Sequence, residues 1–263
     1  MNQSERRHFL IKELLDESIS YKDMKIPDET VEQKKLLRSL MNIRMPKPIS
    51  DEFLKIQDEY LQEERNKKHI TALDELEEVQ PGIYIWQGDI TTLKVGAIVN
   101  AANSGMTGCY QPCHACIDNC IHTYAGIQLR LNCADIMEKQ GYEEPTGQAK
   151  ITPAYNLPCD FVLHTVGPII YDKVSKKEEK LLASCYESCM RLAEEHGVES
   201  IAFCCISTGV FRFPNDRAAE IAVDTVKKCM KKYKGIKNVV FNVFKDVDYN
   251  YYLMELDGEQ RRG

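Results

Sequence analysis

Apolar and polar residues alternate with two different periods along the chain, and the period changes near residue 75. Up to about residue 73, apolar residues recur three and four positions apart among Glu, Lys and Arg, and glycine is absent. This spacing predicts amphipathic helices over 8–18, 31–43 and 52–69. Thr30 followed by Gln33 is typical of a capping box at the start of the second helix. We therefore expect a small helical N-terminal region, residues 1–75, and interpret it as a structural appendage rather than a partner-binding arm.

Beyond residue 80 the pattern changes to short runs rich in β-branched and aromatic residues, separated by helical stretches. Several of these runs are apolar on both faces, as strands of a sheet covered on both sides are. The predicted strands are 82–86, 95–100, 149–155, 161–167, 201–207 and 239–244, and the predicted helices are 117–140, 178–196, 215–232 and 249–256. This alternation favours a three-layer α/β/α fold with a mixed or parallel sheet over residues 76–263. Ligands of such folds bind at the carboxyl ends of the strands.

The composition narrows the class of protein. With 43% hydrophobic and 28% charged residues it is that of an ordinary soluble globular protein. A formal net charge of -6 offers no global attraction to nucleic acid. No apolar run approaches the length of a membrane span, and acidic residues interrupt the apolar core that an export signal near Met1 would need. We expect a cytoplasmic protein without nucleic-acid or membrane partners.

Two polar turns follow predicted strands. Residues 87–91, QGDIT, combine a glycine for a sharp turn with Asp89, whose carboxylate can accept a hydrogen bond from a ligand amino group. Residues 99–103, VNAAN, end a strand with two asparagines, whose amides can bind sugar hydroxyls. Each pattern alone is also explained by an ordinary turn, with Asp89 capping a helix.

A third loop, STGVF at residues 207–211, joins a predicted strand to a predicted helix. Small residues at the start of a helix direct backbone N–H groups and the helix dipole toward an anion, which suits a pyrophosphate. The chain lacks the Gly-Lys-Ser/Thr of a P-loop and the Gly-x-Gly-x-x-Gly of a dinucleotide fold. Those two classes of nucleotide-binding protein are therefore disfavoured.

The same three loops, with a fourth, carry a resemblance to a known family. GDIT at 88–91, IVNAAN at 98–103, HTVGP at 164–168 and ISTGVFRFP at 206–214 occur in this order at the ends of successive strands. In this combination the chain closely resembles the macrodomain family over residues 81–256. The resemblance implies a cleft that binds ADP-ribose.

It also implies roles for individual residues. Asp89 would bind the adenine amino group, the backbone of Ile90 would lie near the phosphates, and Asn103 would hold the distal ribose. Residues 207–211 would wrap the diphosphate, with Phe211 over the distal ribose. The expected ligand contacts are Asp89, Ile90, Asn103, Cys116, Ile117, Asp118, Ser207, Thr208, Gly209, Val210 and Phe211.

The departure from the common macrodomain pattern concerns cysteine. The eleven cysteines begin at Cys109, and four fall between residues 109 and 120, which indicates a local site rather than a disulfide framework. The insertion C-x4-H-x-C resembles the zinc-dependent macrodomains of microbial pathogens, which are often linked to a sirtuin-type ADP-ribosyltransferase. The resemblance assigns the metal ligands to Cys109, His114 and Cys116.

The chemistry of these residues is consistent with zinc even without the family. Three ligands can hold a tetrahedral Zn²⁺ and leave its fourth position open, as in catalytic sites, whereas a structural site closes with four. Participation of Cys113 or Cys120 would make the site structural, and a cluster of free thiols without metal is the other alternative. We expect three ligands, with Cys113 directed away from the metal.

The remaining residues near these motifs have simpler interpretations. Asp118 is expected to position a nucleophile or a phosphate-side contact, although helix capping alone would explain it. His122 and His164 are expected to pack in the interior. Five further cysteines are interpreted as small buried residues: Cys185, Cys189, Cys204, Cys205 and Cys229.

The resulting hypothesis is a zinc-dependent hydrolase that removes ADP-ribose from mono-ADP-ribosylated protein side chains. The residues expected to be catalytic are Cys109, His114, Cys116, Asp118 and Asn103. Zn²⁺ would polarise the ribosyl or acyl oxygen, or lower the pKa of a bound water. Two alternatives stay open, a reader that binds ADP-ribose without cleavage and a hydrolase of a small adduct such as acetylated ADP-ribose.

Overall fold

Three helices form the first part of the computed structural model, which describes residues 1–260. Their bounds are α1 Gln3–Asp16, α2 Thr30–Ile43 and α3 Asp51–Asn66. Helix α1 packs against both α2 and α3, because apolar residues of all three meet in one buried cluster that includes Leu10, Leu37 and Phe53. Ile127, from a later helix, joins the same cluster, so the N-terminal helices share their core with the rest of the protein.

A mixed seven-stranded sheet occupies the centre of the remaining chain. Its order is β2-β3-β9-β8-β5-β7-β6, with β2 Glu78–Gln80, β3 Ile83–Gln87, β5 Ala97–Ala101, β6 Ala149–Pro153, β7 Phe161–Thr165, β8 Ser200–Phe203 and β9 Asn238–Val243. The inner pairs are parallel, and the edge strands β2 and β6 run antiparallel to their neighbours. A small parallel sheet joins β1 Thr71–Ala72 to β4 Leu93–Lys94.

Helices cover this sheet in two groups. Helices α4 Ile117–Ala125 and α5 Ile127–Gln140 pack on β5 and β6, whereas α6 Lys176–Glu195, α7 Asn215–Lys232 and α8 Asp246–Gln260 pack side by side in the other group. Ile98 and Val99 of the central strand β5 are fully buried, as expected for a strand with both faces covered. The predicted α/β fold with a mixed sheet and a preceding helical region is confirmed. Within residues 1–260, no helix is both long and apolar enough to cross a membrane.

The single helix predicted over 117–140 is wrong, because Gly126 divides it into α4 and α5. Gly126 has φ of 100° and ψ of 169°, which no helical residue adopts. A Cβ at this position would lie 2.6 Å from Nε2 of Gln57 in α3. The oxygen of the same Gln57 side chain accepts a hydrogen bond of 2.9 Å from the backbone N–H of Ile127, the first residue of α5. The break therefore allows α3 to cap α5.

The predicted capping box at Thr30 and Gln33 is also wrong. Helix α2 begins at Thr30 with Glu29 as its N-cap residue, and no side chain caps it. The Gln33 side chain is buried instead, where its amide nitrogen donates to the Pro27 carbonyl at 2.7 Å and its oxygen accepts from Nε of Arg7 at 2.8 Å. A tertiary contact to α1 has taken the side chain that the local pattern assigned to the cap.

Candidate active site

A cavity of about 650 Å³ opens at the carboxyl ends of the parallel strands. Its walls come from the turn 88–90 after β3, the segment 114–117 before α4, and the loop 204–211 after β8. Strands of a parallel sheet end on the same side, so three loops that are far apart in sequence meet at one opening. The volume lies within the range of small-molecule sites, which is roughly 300 to 1,000 Å³.

Most of the predicted ligand contacts line this cavity. They are Asp89, Ile90, Cys116, Ile117, Ser207, Thr208, Gly209, Val210 and Phe211. Asn103, Cys109 and Asp118 are not part of its wall, and their proposed roles stay predictions. Cys204 and Cys205, which were expected to be small core residues, also line the cavity.

The loop predicted to bind the diphosphate has a fixed backbone. Ser207 has φ of 65°, a left-handed conformation, and its carbonyl accepts a hydrogen bond of 3.0 Å from the backbone N–H of Phe213. The Phe211 carbonyl accepts another, of 2.8 Å, from Ile170. The Ser207 hydroxyl is buried, and none of the described residues offers it a hydrogen-bond partner. Because an unpartnered buried hydroxyl is unfavourable, a ligand that bonded to it would remove this cost.

Asp89 caps a turn, which is one of the two roles considered for it, and its role toward adenine stays a prediction. One carboxylate oxygen, Oδ1, accepts hydrogen bonds from the backbone N–H of Thr91 at 3.0 Å and from its hydroxyl at 2.6 Å, which caps the short 3₁₀ turn after β3. The other oxygen, Oδ2, lies 3.4 Å from Nζ of Lys68, and that ammonium group sits 4.1 Å from the centre of the Tyr124 ring. Asp89 therefore orders the turn through one oxygen and pairs with Lys68 through the other.

The three residues predicted as metal ligands are close together. One ligand atom from each of Cys109, His114 and Cys116 lies within 4.8 Å of the others, and Sγ of Cys109 is 3.8 Å from Nδ1 of His114. A tetrahedral zinc with ordinary bond lengths separates its sulfur and nitrogen ligands by about 3.6 Å. These donors therefore fit Zn²⁺ in both type and spacing.

Burial keeps the Cys116 thiol protonated in the metal-free protein, so metal binding must displace its proton. Burial raises the pKa of this thiol to about 12, and the nearby Cys109 and Asp118 oppose its ionisation, while a hydrogen bond from the Asn119 backbone favours it. The thiolate is the form that binds metal, and a divalent cation stabilises it directly. His114 and Cys116 both line the cavity, so a cation held here would face its interior.

Two other cysteines of the insertion lie outside the group of three. Cys113 is exposed, and its Sγ lies 3.2 Å from the Ser39 hydroxyl of α2. Sγ of Cys120 lies 3.6 Å from the Arg38 guanidinium. Among the residues that the structure describes, the group thus offers three protein ligands, which leaves one tetrahedral position for a water or a substrate oxygen.

Asp118, two residues after Cys116, is buried. Its two oxygens accept hydrogen bonds from the Asn100 amide at 2.8 Å and from the Asn103 amide at 3.2 Å. Burial raises the pKa of this carboxyl to about 6, against the lowering effect of those amides and of Arg130. The cap of α4 comes from Sγ of Cys116, which accepts from the backbone N–H of Asn119 at 3.4 Å, so capping is not the role of Asp118.

His122 and His164 pack in the interior, as expected, with ring centres 5.9 Å apart. Nδ1 of His164 contacts the Asn100 amide at 3.1 Å, and its Nε2 contacts the Thr152 hydroxyl at 3.0 Å. Burial lowers the pKa of both imidazoles, to about 3 for His164. Sγ of Cys133 lies close to both rings, but each nitrogen of His164 already has a polar partner. The His164 ring is therefore held by hydrogen bonds in the interior, whereas neither ring nitrogen of His122 has a hydrogen-bond partner among the described residues.

Sequence reasoning missed several residues of the cavity and its surroundings. Tyr124 lines the cavity from α4, and Lys68, beyond the end of α3, lies between Tyr124 and Asp89. Phe244, which follows β9, and Asp248 of α8 also line it. None of these residues belongs to a motif, and only the fold brings them to the opening.

Comparison with known proteins agrees with this geometry. The sequence profile of the Macro domain matches residues 99–222. A curated protein-ADP-ribose hydrolase of Treponema medium is 61% identical over 256 residues, which cover 96% of this chain and 98% of that protein. Another, from Staphylococcus aureus (strain MSSA476), is 49% identical over 249 residues, covering 94% and 93%.

Solved structures give the same result for the fold. The Trypanosoma brucei macrodomain in complex with ADP-ribose superposes with a TM-score of 0.64 at 28% identity, covering 82% of this chain and 93% of that chain. The similarity to the Treponema protein extends along nearly all of both sequences and includes the N-terminal helices. The chain therefore belongs to the macro domain family, in the group whose curated members are named protein-ADP-ribose hydrolases.

Proposed function

We propose that this chain hydrolyses the bond between ADP-ribose and a modified protein side chain, with Zn²⁺ held by Cys109, His114 and Cys116. The names of the relatives at 61% and 49% identity support the reaction. The observation that carries the metal is that His114 and Cys116 line the same cavity as residues 207–211. A ligand with its diphosphate on that loop would have its distal ribose within reach of the metal group.

In this proposal the ligand lies along the carboxyl edge of the sheet. Asp89 binds the adenine amino group through the oxygen that does not cap the turn. The Ser207 hydroxyl and the backbone of the loop 207–211 bind the diphosphate. Phe211 packs over the distal ribose. Each of these groups lines the cavity, so one extended ligand contacts them all.

Two side chains next to the metal group would act on the ribose. Asn103 donates its amide to Asp118 and to the Gly108 carbonyl, and its own oxygen accepts from the backbone of Gly105 at 3.0 Å. These bonds use both N–H groups of the amide and fix its orientation, so a ribose hydroxyl would donate to the second lone pair of its oxygen. Asp118 sits between Asn100 and Asn103 and would orient the attacking water or the ribose through Asn103. Zinc, when bound, would supply Lewis-acid polarisation or a water of lowered pKa.

The substrate class in this proposal is a mono-ADP-ribosylated protein, supplied by an ADP-ribosyltransferase such as the sirtuin type. A reader of ADP-ribose has no use for a metal group with an open position, so that group favours an enzyme over a reader. A small adduct such as acetylated ADP-ribose would fit the same cavity and is distinguished by assay.

The test measures ADP-ribose release from carboxylate-linked and Ser-linked protein adducts and from acetylated ADP-ribose, with and without a chelator. We expect about one equivalent of zinc in the purified protein, and release from protein adducts that the chelator abolishes. Binding of ADP-ribose without release would identify a reader. Release from acetylated ADP-ribose alone would identify the small-adduct enzyme.

Matched cysteine variants separate the metal from general thiol effects. Cys116→Ser retains an N-cap residue for α4 but removes a metal ligand, so turnover should fall by at least about a hundredfold while the fold persists. Cys113→Ser changes the neighbouring cysteine outside the metal group and should leave both turnover and zinc content unchanged. Full turnover in Cys116→Ser would contradict the catalytic role of zinc.

A further inference from the structure

The metal loop, defined as residues 107–116, is bound to helix α2 of the N-terminal region. Nη2 of Arg38 donates to the carbonyl of His114 at 2.8 Å. Oδ1 of Asn42 accepts from the backbone N–H of Cys113 at 2.9 Å, and the Ser39 hydroxyl contacts Sγ of Cys113. Arg38 and Ser39 lie on one turn of α2 and Asn42 on the next, so the last two turns of α2 lie against the metal loop.

Arg38 reaches the other two metal ligands through Asn119. The same Nη2 donates to Oδ1 of Asn119 at 2.9 Å, so the Nδ2 of that amide must face the loop. There it donates to the carbonyl of Cys109 at 3.3 Å. The backbone N–H of Asn119 donates to Sγ of Cys116. Arg38 thus bonds directly to the backbone of His114, and Asn119 connects it to the other two ligands.

Arg130 of α5 holds α2 in the position that this arrangement requires. Its Nη1 donates to three carbonyls at the end of α2, those of Met41, Asn42 and Arg44, at 2.7 to 3.0 Å. Its Nε donates to the carbonyl of Thr107, the first residue of the metal loop, at 2.7 Å. A buried guanidinium at the negative end of a helix dipole is favourable, and Arg130 is only 5% exposed. The C-terminal end of α2 and the start of the loop therefore share one anchor.

We propose that Arg38 is a positioning residue for the metal site, and that the N-terminal helices are part of the support of the active site. This inference rests on the proposed zinc site. Groups that bond to metal ligands typically change metal affinity by about 10- to 100-fold when removed. Without Arg38 the carbonyl of His114 and the amide of Asn119 lose their shared donor. Zinc binding must then also order the metal loop, which lowers the zinc affinity.

The experiment measures zinc affinity by chelator competition in the full-length protein. Arg38→Met keeps the apolar stem of the side chain but removes its donors, and we expect zinc affinity to fall by about tenfold or more. Arg38→Lys places an ammonium group near the same two acceptors and should recover part of the affinity. The control is Arg6→Met, an arginine of α1 that pairs with Glu59 and Glu63 and does not contact the loop. It should lower the melting temperature while zinc affinity stays at the wild-type value.

Amide hydrogen exchange of residues 107–116 in the metal-free protein is the second readout. Arg38→Met should exchange faster than wild type in this loop, and Arg6→Met should not. Equal zinc affinity and equal loop exchange in Arg38→Met and wild type would overturn the inference. Absence of zinc from the wild-type protein would overturn the proposed metal function instead, and loop exchange would then decide the positioning role by itself.

Discussion

Gly108 lies against the imidazole ring of His122, so closely that a Cβ at Gly108 would be 2.7 Å from Cγ of the ring. Gly108 immediately precedes Cys109, a proposed metal ligand, and His122 belongs to α4, the helix that Cys116 caps. The contact between these two residues therefore joins the first part of the metal loop to the helix that follows it. Gly108 also has φ of 83°, a conformation that strongly favours glycine.

Gly108→Ala is expected to destabilise the protein by more than backbone strain alone. Gly141→Ala is the control, because Gly141 has φ of 77° but a Cβ there meets nothing within 4 Å. The left-handed conformation costs alanine about 1 to 2 kcal/mol at either position. Displacing the His122 ring should add about 1 to 3 kcal/mol at Gly108. Urea unfolding of both variants measures the difference, and equal losses would show that the ring contact contributes nothing.

Ser207→Ala should weaken ADP-ribose binding without lowering the stability of the free protein. The hydroxyl has no partner among the residues that the structure describes, so its removal relieves a buried polar group, whereas a ligand that uses it loses a hydrogen bond. We expect the dissociation constant for ADP-ribose, measured by calorimetry, to rise about 2- to 10-fold. Ser188→Ala is the counterpart, because its buried hydroxyl donates to the Gly147 carbonyl at 2.8 Å. That variant should lose stability and keep its affinity for ADP-ribose. A Ser207→Ala variant that loses stability and keeps its affinity for ADP-ribose would refute the role of Ser207.

The parts of the site that the sequence predicted are those encoded by local patterns. Parallel strands with short loops bring their carboxyl ends to one edge, and Asp89 and Ser207, each placed by the sequence after a strand, line the same cavity. The insertion that contains Cys109, His114 and Cys116 is short enough that its ligands close on one point wherever the loop lies. In both cases the chemistry resides in residue type and spacing.

The parts that were missed depend on contacts between distant segments. Arg38 lies 76 positions before His114, and no local pattern connects them. Gly126 occurs in an apolar helical pattern that tolerates one glycine, and only Gln57 of α3 explains the break there. For the same reason the N-terminal helices were interpreted as an appendage, although one of them contacts the metal loop.

Asp89→Asn should change the base that the cavity prefers from adenine to hypoxanthine. Asparagine can still accept the bond from the Thr91 backbone through Oδ1, but it replaces the oxygen near Lys68 with a donor amide. An adenine amino group then meets a donor, whereas the carbonyl of hypoxanthine meets a partner. Wild type should prefer ADP-ribose over inosine diphosphate ribose, and the variant should reverse this by about fivefold or more, because half-exposed hydrogen bonds to charged groups are worth about 1 kcal/mol. An unchanged preference in direct binding measurements would remove Asp89 from the base site.

The buried His164 should make stability depend on pH in a defined window. Burial lowers the pKa of its imidazole from 6.5 to about 3, so the unfolded chain takes up a proton at a higher pH than the folded protein does. Between these two values the unfolded state binds more protons, and the free energy of unfolding therefore falls as the pH falls from 6.5 toward 3. His164→Asn keeps an acceptor for the Asn100 amide and removes the titrating ring. Its stability at neutral pH should be lower, but its decline below pH 6.5 should be shallower by up to about 1.4 kcal/mol per pH unit.

Urea unfolding at pH 7, 6 and 5 compares these slopes for wild type and His164→Asn. The control is His196→Asn, which removes one exposed histidine and so has the same number of histidines as His164→Asn. Parallel curves for wild type and His164→Asn would show that this imidazole titrates alike in both states and that its burial carries no electrostatic cost.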